Sequence, residues 1–153
     1  MILIADSGST KVDWCALRED GTYSIIKTAG INPVFITKDK IINILKEKLL
    51  SVIGTEISAV YFYGAGVVSN GVCGDLAEAF GEVFPKASCE SASDILAAAR
   101  AVCGHNKGIA CIMGTGSNSC FYDGSQITQH VNAGGFILGD EASGGVLGRK
   151  LVS

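Results

Sequence analysis

No apolar run in this chain approaches the ~20 residues that a membrane-spanning helix needs; the longest, Ile57 to Val68, is broken by glycine. No basic cluster is present, and a net charge of -3 argues against a nucleic-acid surface without naming another partner. The N-terminus has no basic leader and carries Asp6 inside its first apolar stretch, so no signal peptide is expected and the expected location is the cytoplasm. The six cysteines, at 15, 73, 89, 103, 111 and 120, form no C-x-x-C and no Cys/His pair at zinc spacing. In a reducing compartment they read as small buried hydrophobes. His105 and His130 stand alone, with no adjacent nucleophile, and read as surface or satisfied core histidines. A Walker loop is absent, and so is a glycine-rich dinucleotide turn leading into a helix.

What is present begins in the first seventeen residues. The apolar run Ile2-Leu3-Ile4-Ala5 ends in Asp6-Ser7-Gly8-Ser9-Thr10-Lys11, and a second apolar run, Val12 to Leu17, follows. That is a strand, a tight polar turn and a returning strand. Such a turn leaves backbone N–H groups at Gly8, Ser9 and Thr10 for an anion, which glycine lets approach closely. Asp6 puts a carboxylate where a phosphate-bound Mg²⁺ or its water needs one. Alone, a polar turn between strands is most often only a hairpin.

The unit occurs twice. Ile109 to Met113, the turn Gly114-Thr115-Gly116-Ser117-Asn118 and Ser119 to Tyr122 repeat the strand, polar turn and return strand. Each copy continues through an Asp-Gly turn, Asp20-Gly21 and Asp123-Gly124, into a third strand, Tyr23 to Thr28 and Gln126 to Asn132. Each third strand runs into Ala-Gly, at Ala29-Gly30 and Ala133-Gly134. A repeat of this order suggests two like-folded lobes facing one another, with a phosphate turn on each lip of a cleft.

At 153 residues the chain is long enough for one ordinary domain or two small ones, and 48% apolar residues with 20 glycines fit a sheet-rich core with many tight turns. After the first three strands, apolar residues Ile41, Ile42, Leu45, Leu49 and Val52 predict an amphipathic helix over Thr37 to Ile53. Ile57 to Tyr63 reads as a buried strand ending at Gly64-Ala65-Gly66. Asn70 to Phe80 reads as a short helix capped by Asn70 and stopped at Gly81. A brief strand over Ala87 to Cys89 and an alanine-rich helix over Ile95 to Val102 follow. This order suits an antiparallel meander continued into a parallel sheet by crossover helices, an α/β lobe. The predicted boundary lies at Gly104-His105-Asn106-Lys107, giving a first lobe over 1–106 and the start of a second over 107–153. The second copy has its three strands and a helix over Glu141 to Val152 but no later strands. A three-stranded sheet with one helix is a poor independent core, so a piece of a longer protein is expected.

Asp94 follows a short strand and opens a helix, where a parallel sheet commonly places its ligand. A carboxylate there can accept the proton of a hydroxyl that attacks a phosphoryl group. Ser91, Ser93 and Asp94 are equally ordinary helix-start residues. Asp140-Glu141 repeats that ambiguity at the last helix: Asp140 can bond a polyol or cap a helix. The amide of Asn32, in the turn dipeptide Asn32-Pro33, suits a sugar hydroxyl or acetamido group, and Trp14 reads as strand core.

Asp6-Ser7-Gly8-Ser9-Thr10-Lys11, Ser93-Asp94 before an Ala-rich helix, Gly114-Thr115-Gly116-Ser117-Asn118, and Gly134-Gly135 leading to Gly139-Asp140-Glu141 together resemble an ordered motif set. It is that of the N-acetylglucosamine kinase and BadF/BadG ATPase family, within the actin-like ATPase and sugar kinase superfamily. The resemblance implies a ribonuclease H-like, actin-like lobe with a mixed five-stranded sheet, plus the start of a second similar lobe. It places Asp6 near Mg²⁺, and Gly8, Ser9, Thr10, Lys11, Thr115, Gly116 and Ser117 at the phosphates of ATP. Asp94 becomes the catalytic base, and Asn32, Gly134, Gly135 and Asp140 face the amino sugar. The implied activity is transfer of the γ-phosphoryl group of ATP to a hydroxyl of N-acetylglucosamine or a related sugar. The implied partner is a small-molecule sugar rather than nucleic acid or membrane, with a homodimer as a permitted assembly. Members of the family run well beyond this length, and the adenosine-binding segment lies in the later part, so the chain alone is expected to turn over ATP poorly or not at all. The alternatives are a BadF-type ATPase activator, whose iron–sulfur cluster needs paired cysteines, and a non-catalytic lobe that senses sugar or nucleotide.

Overall fold

A computed structural model describes residues 1–8, 10–67, 74–131 and 134–153. The chain divides into two compact units, Met1–Asp94 and Ile95–Ser153.

The first unit is a mixed five-stranded sheet in the order β3-β2-β1-β4-β5. Strands β1 (Ile2–Ser7), β2 (Lys11–Leu17) and β3 (Tyr23–Ala29) form the antiparallel meander. β4 (Ala59–Gly64) pairs parallel to β1, and β5 (Ser88–Ser93) parallel to β4. Alternation along β1 and β2 buries Leu3, Ala5 and Ser7, and Val12, Trp14 and Ala16, on one face. That face is covered by α1 (Lys38–Ile44), its continuation, and α3 (Gly74–Val83), whose Ile41, Leu45, Leu49, Leu76 and Phe80 join the same core. Trp14 is fully buried there as expected, and its Nε1–H donates to Thr28 Oγ1 at 3.0 Å. This meander, crossover and parallel pairing is the ribonuclease H-like architecture of actin-like proteins, the expected fold class.

Several predicted boundaries shift. The predicted helix over Thr37 to Ile53 is α1, a π-helical stretch (Leu45–Leu50) and a closing turn, α2 (Ser51–Ile53). The wider π turn delays the next inward position by one residue, so Val52, expected in the apolar stripe, is 67% exposed while Ile53 packs on the core. α3 runs through Gly81 to Val83 because Val83 is buried against the core, and the predicted cap Asn70 lies outside the described residues. β5 extends past Cys89 to Ser93, so Asp94 follows the strand directly and begins α4 (Asp94–Cys103).

In the second unit β6 (Gly108–Met113), β7 (Ser117–Tyr122) and β8 (Ile127–Val131) form an antiparallel meander in the order β6-β7-β8. Ser117 and Asn118 belong to the β7 ladder, paired with Met113 and Ile112, so the turn is confined to residues 114–116. Asn132 and Ala133 lie outside the described residues. Ile95 and Ala99 of α4 pack with Ala110, Cys120 and Tyr122 of this second sheet, so that helix lies with the later strands although its sequence position is before the predicted boundary. The single helix predicted over Glu141 to Val152 is instead α5 (Gly135–Leu138), a turn, and α6 (Gly144–Val152). Glu141 is outside any helix because Ala142 takes a left-handed φ of 65°, and Ser143 is the residue that caps α6, its Oγ accepting from Val146 N–H at 3.2 Å.

Of the cysteines expected to be buried, Cys120 is buried, Cys15 and Cys103 are half-buried, and Cys89 and Cys111 are exposed. β5 is an edge strand, and Cys111 sits on the face of β6 turned away from the cluster around Ala110. Cys73 lies outside the described residues. His105 and His130 are exposed. Among the described residues no helix is long and apolar enough to cross a membrane.

Candidate functional site

Parallel pairing fixes what meets at the C-terminal end of the first sheet. Ser7 is level with Gly64, and Gly64 with Ser93. At about 4.8 Å per strand spacing, Ser7 and Ser93 stand roughly 10 Å apart across β4. The chain runs outward from β1 to β3 and then crosses to β4 on the other side, so this is the switch point of the sheet, where open α/β folds hold ligands. Asp6, the turn after it, Asn32, the loop Gly64-Ala65-Gly66 and Asp94 all lie at this end.

Gly8 N–H donates to Lys11 O at 2.9 Å and closes the turn. Ser7, buried, anchors it: its Oγ donates to Ile31 O at 2.9 Å, and its carbonyl accepts from Ala65 N–H at 2.9 Å. Gly30 N–H reaches Thr10 O at 3.0 Å. The turn is thus bolted to both neighbouring loops, with Gly8 and Thr10 exposed. Ser9 lies outside the described residues.

Asp6 is exposed on the sheet face opposite the helices and sits across from Asp13 in the ladder. Lys11 Nζ binds Asp13 Oδ2 at 2.6 Å, and Lys27 Nζ stands 4.0 Å from Asp13 Oδ1. The Lys11 hydrogen bond and charge hold the Asp13 carboxyl below its ordinary range and raise the Lys11 ammonium. Lys11, expected at a phosphate, is therefore engaged with Asp13, and Asp13 was not singled out by sequence. An exposed carboxylate at a strand end suits Mg²⁺, which keeps several waters and needs only one or two protein carboxylates beside phosphate oxygens.

Asn32 is buried. Its Oδ1 accepts from Val34 N–H at 3.0 Å, and its carbonyl accepts from Phe35 N–H at 2.9 Å. Gly66, with φ 80°, comes so close that a Cβ there would stand 2.5 Å from Asn32 Oδ1. The loop after β4 thus packs by backbone on the Asn32 amide, a contact that sequence reading missed. Asp94 is half-buried at the first residue of α4.

The second unit repeats the turn with different supports. Gly114 N–H donates to Gly116 O at 2.9 Å, and Gly114 O accepts from Gly144 N–H at 2.8 Å, docking the start of α6 on the turn. Thr115 is exposed, while Gly116 and Ser117 are half-buried. Asp140 Oδ1 accepts from Gly135 N–H at 3.1 Å, and its carbonyl accepts from Ser143 N–H at 2.9 Å. Gly134, Gly135 and Asp140 thus gather beside the turn. A cavity of about 390 Å³ opens here, lined by Met113, Ser117, Asn118, Gly134, Gly139 and Glu141. His130 Nε2 lies 2.7 Å from Asn118 Oδ1.

Asp6, Gly8, Thr10, Lys11, Asn32 and Asp94 therefore share one end of the first unit, and Thr115, Gly116, Ser117, Gly134, Gly135 and Asp140 one region of the second.

No family model matches the chain, and no curated protein matches it. Solved structures do. One, described as a putative N-acetylglucosamine kinase from Porphyromonas gingivalis, is 48% identical with a TM-score of 0.91, covering 99% of this chain and 55% of that one. A second putative N-acetylglucosamine kinase, from Chromobacterium violaceum, is 19% identical with a TM-score of 0.68, covering 97% of this chain and 54% of its own. A non-polymerising MamK mutant bound to AMPPNP shares the fold at 14% identity and a TM-score of 0.58, over 85% of this chain and 53% of its own. The chain spans about half the length of the structures it matches.

Proposed function

We propose, from the premise that this chain belongs to the family of the putative N-acetylglucosamine kinases of actin-like fold, that it carries the sugar site and phosphate turns of an ATP-dependent kinase acting on N-acetylglucosamine or a related sugar. The observation that carries the reading is the alignment of Ser7, Gly64 and Ser93, which brings a phosphate-type turn, a buried amide and a carboxylate to one sheet end.

In this reading Asn32 orients the acceptor sugar, with Gly134, Gly135 and Asp140 as further sugar ligands. Asp94 takes the proton of the acceptor hydroxyl as that oxygen bonds to the γ-phosphorus and the bond to the ADP oxygen breaks. Backbone N–H groups at Gly8, Ser9 and Thr10, and the turn Thr115-Gly116-Ser117, bind phosphate oxygens, a role that glycine serves by close approach. Asp6 would hold Mg²⁺, which when bound neutralises phosphate charge. Positioning and charge neutralisation supply most of such a catalysis.

The test is ADP release by the protein extended to the length of its relatives, with and without N-acetylglucosamine. Sugar-dependent release is expected. Release that ignores every sugar supports an ATPase instead, and binding of sugar or nucleotide without turnover supports a sensing lobe.

A further inference from the structure

The two sheets have four edge strands, β3 and β5 in the first and β6 and β8 in the second. Three carry the devices that keep an edge from pairing further. β3 has Lys27, β5 is Ser-Cys-Glu-Ser-Ala-Ser, and β8 is Ile-Thr-Gln-His-Val beside a register irregularity at Phe121/Tyr122. β6 has none of them. Gly108-Ile109-Ala110-Cys111-Ile112-Met113 contains no charge, no proline and no hydrogen-bonding side chain other than a thiol, and it pairs with β7 along all six residues without irregularity. Its composition is that of an interior strand.

The first unit contains the strand that occupies the corresponding position. β1, which like β6 opens a meander with a glycine turn, pairs on its other side with β4, in parallel and over all six residues from Ile2↔Ala59 to Ser7↔Gly64. The same edge of β6 carries no strand, and Ile109 and Met113 are 72% and 71% exposed. The 48% identical structure is nearly twice as long as this chain, which covers 55% of it.

We propose that the open edge of β6 receives one further strand, about six residues long, apolar and parallel to it, supplied by the part of the longer protein that has no counterpart in these residues. Backbone N–H and C=O groups on alternate β6 residues give the pairing its affinity, and the flanks of Ile109, Cys111 and Met113 give it apolar contact. A second copy of this chain pairing edge to edge is the rival occupant.

The test is amide hydrogen exchange across residues 108–113, in this chain and in a chimera that continues it with the unmatched remainder of the Porphyromonas gingivalis protein. In the chain, alternate amides should exchange slowly and rapidly. In the chimera all six should be slow, the outward ones by at least a hundredfold, with cross-strand proton contacts in the parallel pattern. Outward amides that stay fast in the chimera, or an antiparallel pattern, would overturn the proposal. So would outward amides already protected in the chain alone, whether as a monomer or as a dimer. A second measurement needs only the chain: Met113→Lys, a charge placed on the edge strand, should raise the concentration at which the chain self-associates severalfold. An unchanged threshold would show that this edge is not the exposed one and would equally overturn the proposal.

Discussion

Asp140 Oδ2 stands 3.0 Å from the point where a Cβ on Gly116 would lie. The carboxylate is held there by its own hydrogen bond from Gly135 N–H, so it cannot retreat without weakening that bond. The glycine of the second turn and the acid that follows α5 are therefore a matched pair. Gly116→Ala should cost about 0.5–1.5 kcal/mol, the worth of one hydrogen bond. In an Asp140→Ala background the same change should cost much less. A double-mutant cycle by urea unfolding reads the coupling, and additive costs would show that the two residues do not touch.

Gly66→Ala meets two obstacles. Its φ of 80° disfavours a side chain by about 1–2 kcal/mol, and the new methyl would press on Asn32 Oδ1 at 2.5 Å. A loss of roughly 2–3 kcal/mol is expected once the Asn32 bond to Val34 N–H is disturbed. Sugar binding, followed by calorimetry with N-acetylglucosamine, should weaken in parallel while nucleotide binding holds. Wild-type stability would contradict the Gly66–Asn32 contact.

The Lys11–Asp13 pair has a definite pH signature. The Asp13 carboxyl is depressed, chiefly by the Lys11 hydrogen bond, so whatever the pair contributes is complete above the unfolded carboxyl value of ~3.9 and is lost as pH falls through the lower folded value. Lys11 is raised, so its share is lost only in alkali, above its ordinary 10.5. Melting temperatures of wild type and Asp13→Asn should differ above about pH 4 and converge in stronger acid. A gap that widens in acid would reverse the assignment. Both groups are exposed, so the gap should shrink in high salt.

Ser143, fully buried, caps α6 through Val146 N–H, and Ser143→Ala should cost about 0.5–2 kcal/mol. Ala142→Gly, at a left-handed φ of 65°, should be neutral or stabilising. Thermal unfolding of the two variants separates cap from strain, and a destabilised glycine variant would place the constraint elsewhere.

Strand alternation and Asp-Gly punctuation made both meanders legible, because period-two burial and hairpin turns are local properties of the chain. Trp14 was legible for the same reason. What escaped was set by distant partners. The π-helical stretch that turns Val52 outward depends on how Leu45 and Leu49 meet the sheet, which no window of residues records. Asp140-Glu141 resembled a helix start because acids favour first turns, yet the left-handed Ala142 delays the helix to Gly144 and gives the cap to Ser143. Ser117 and Asn118 looked like turn residues by composition but pair across to β6. In the candidate site, Asp6, the first turn and Asp94 could be named from sequence since each sits at a strand end. The Gly66–Asn32 contact and the role of Asp13 could not, since each joins separate strands or loops.

The most direct measurement is kcat of Asp94→Asn in the protein extended to the length of its relatives, taken beside its melting temperature. Asparagine keeps the shape and a helix-start oxygen but removes the proton acceptor. The account predicts near-normal melting, N-acetylglucosamine affinity changed little, and turnover lower by about 10²–10⁴. A kcat equal to wild type would make Asp94 a helix-start residue only, and would contradict the placing of the acceptor hydroxyl at this end of the first sheet.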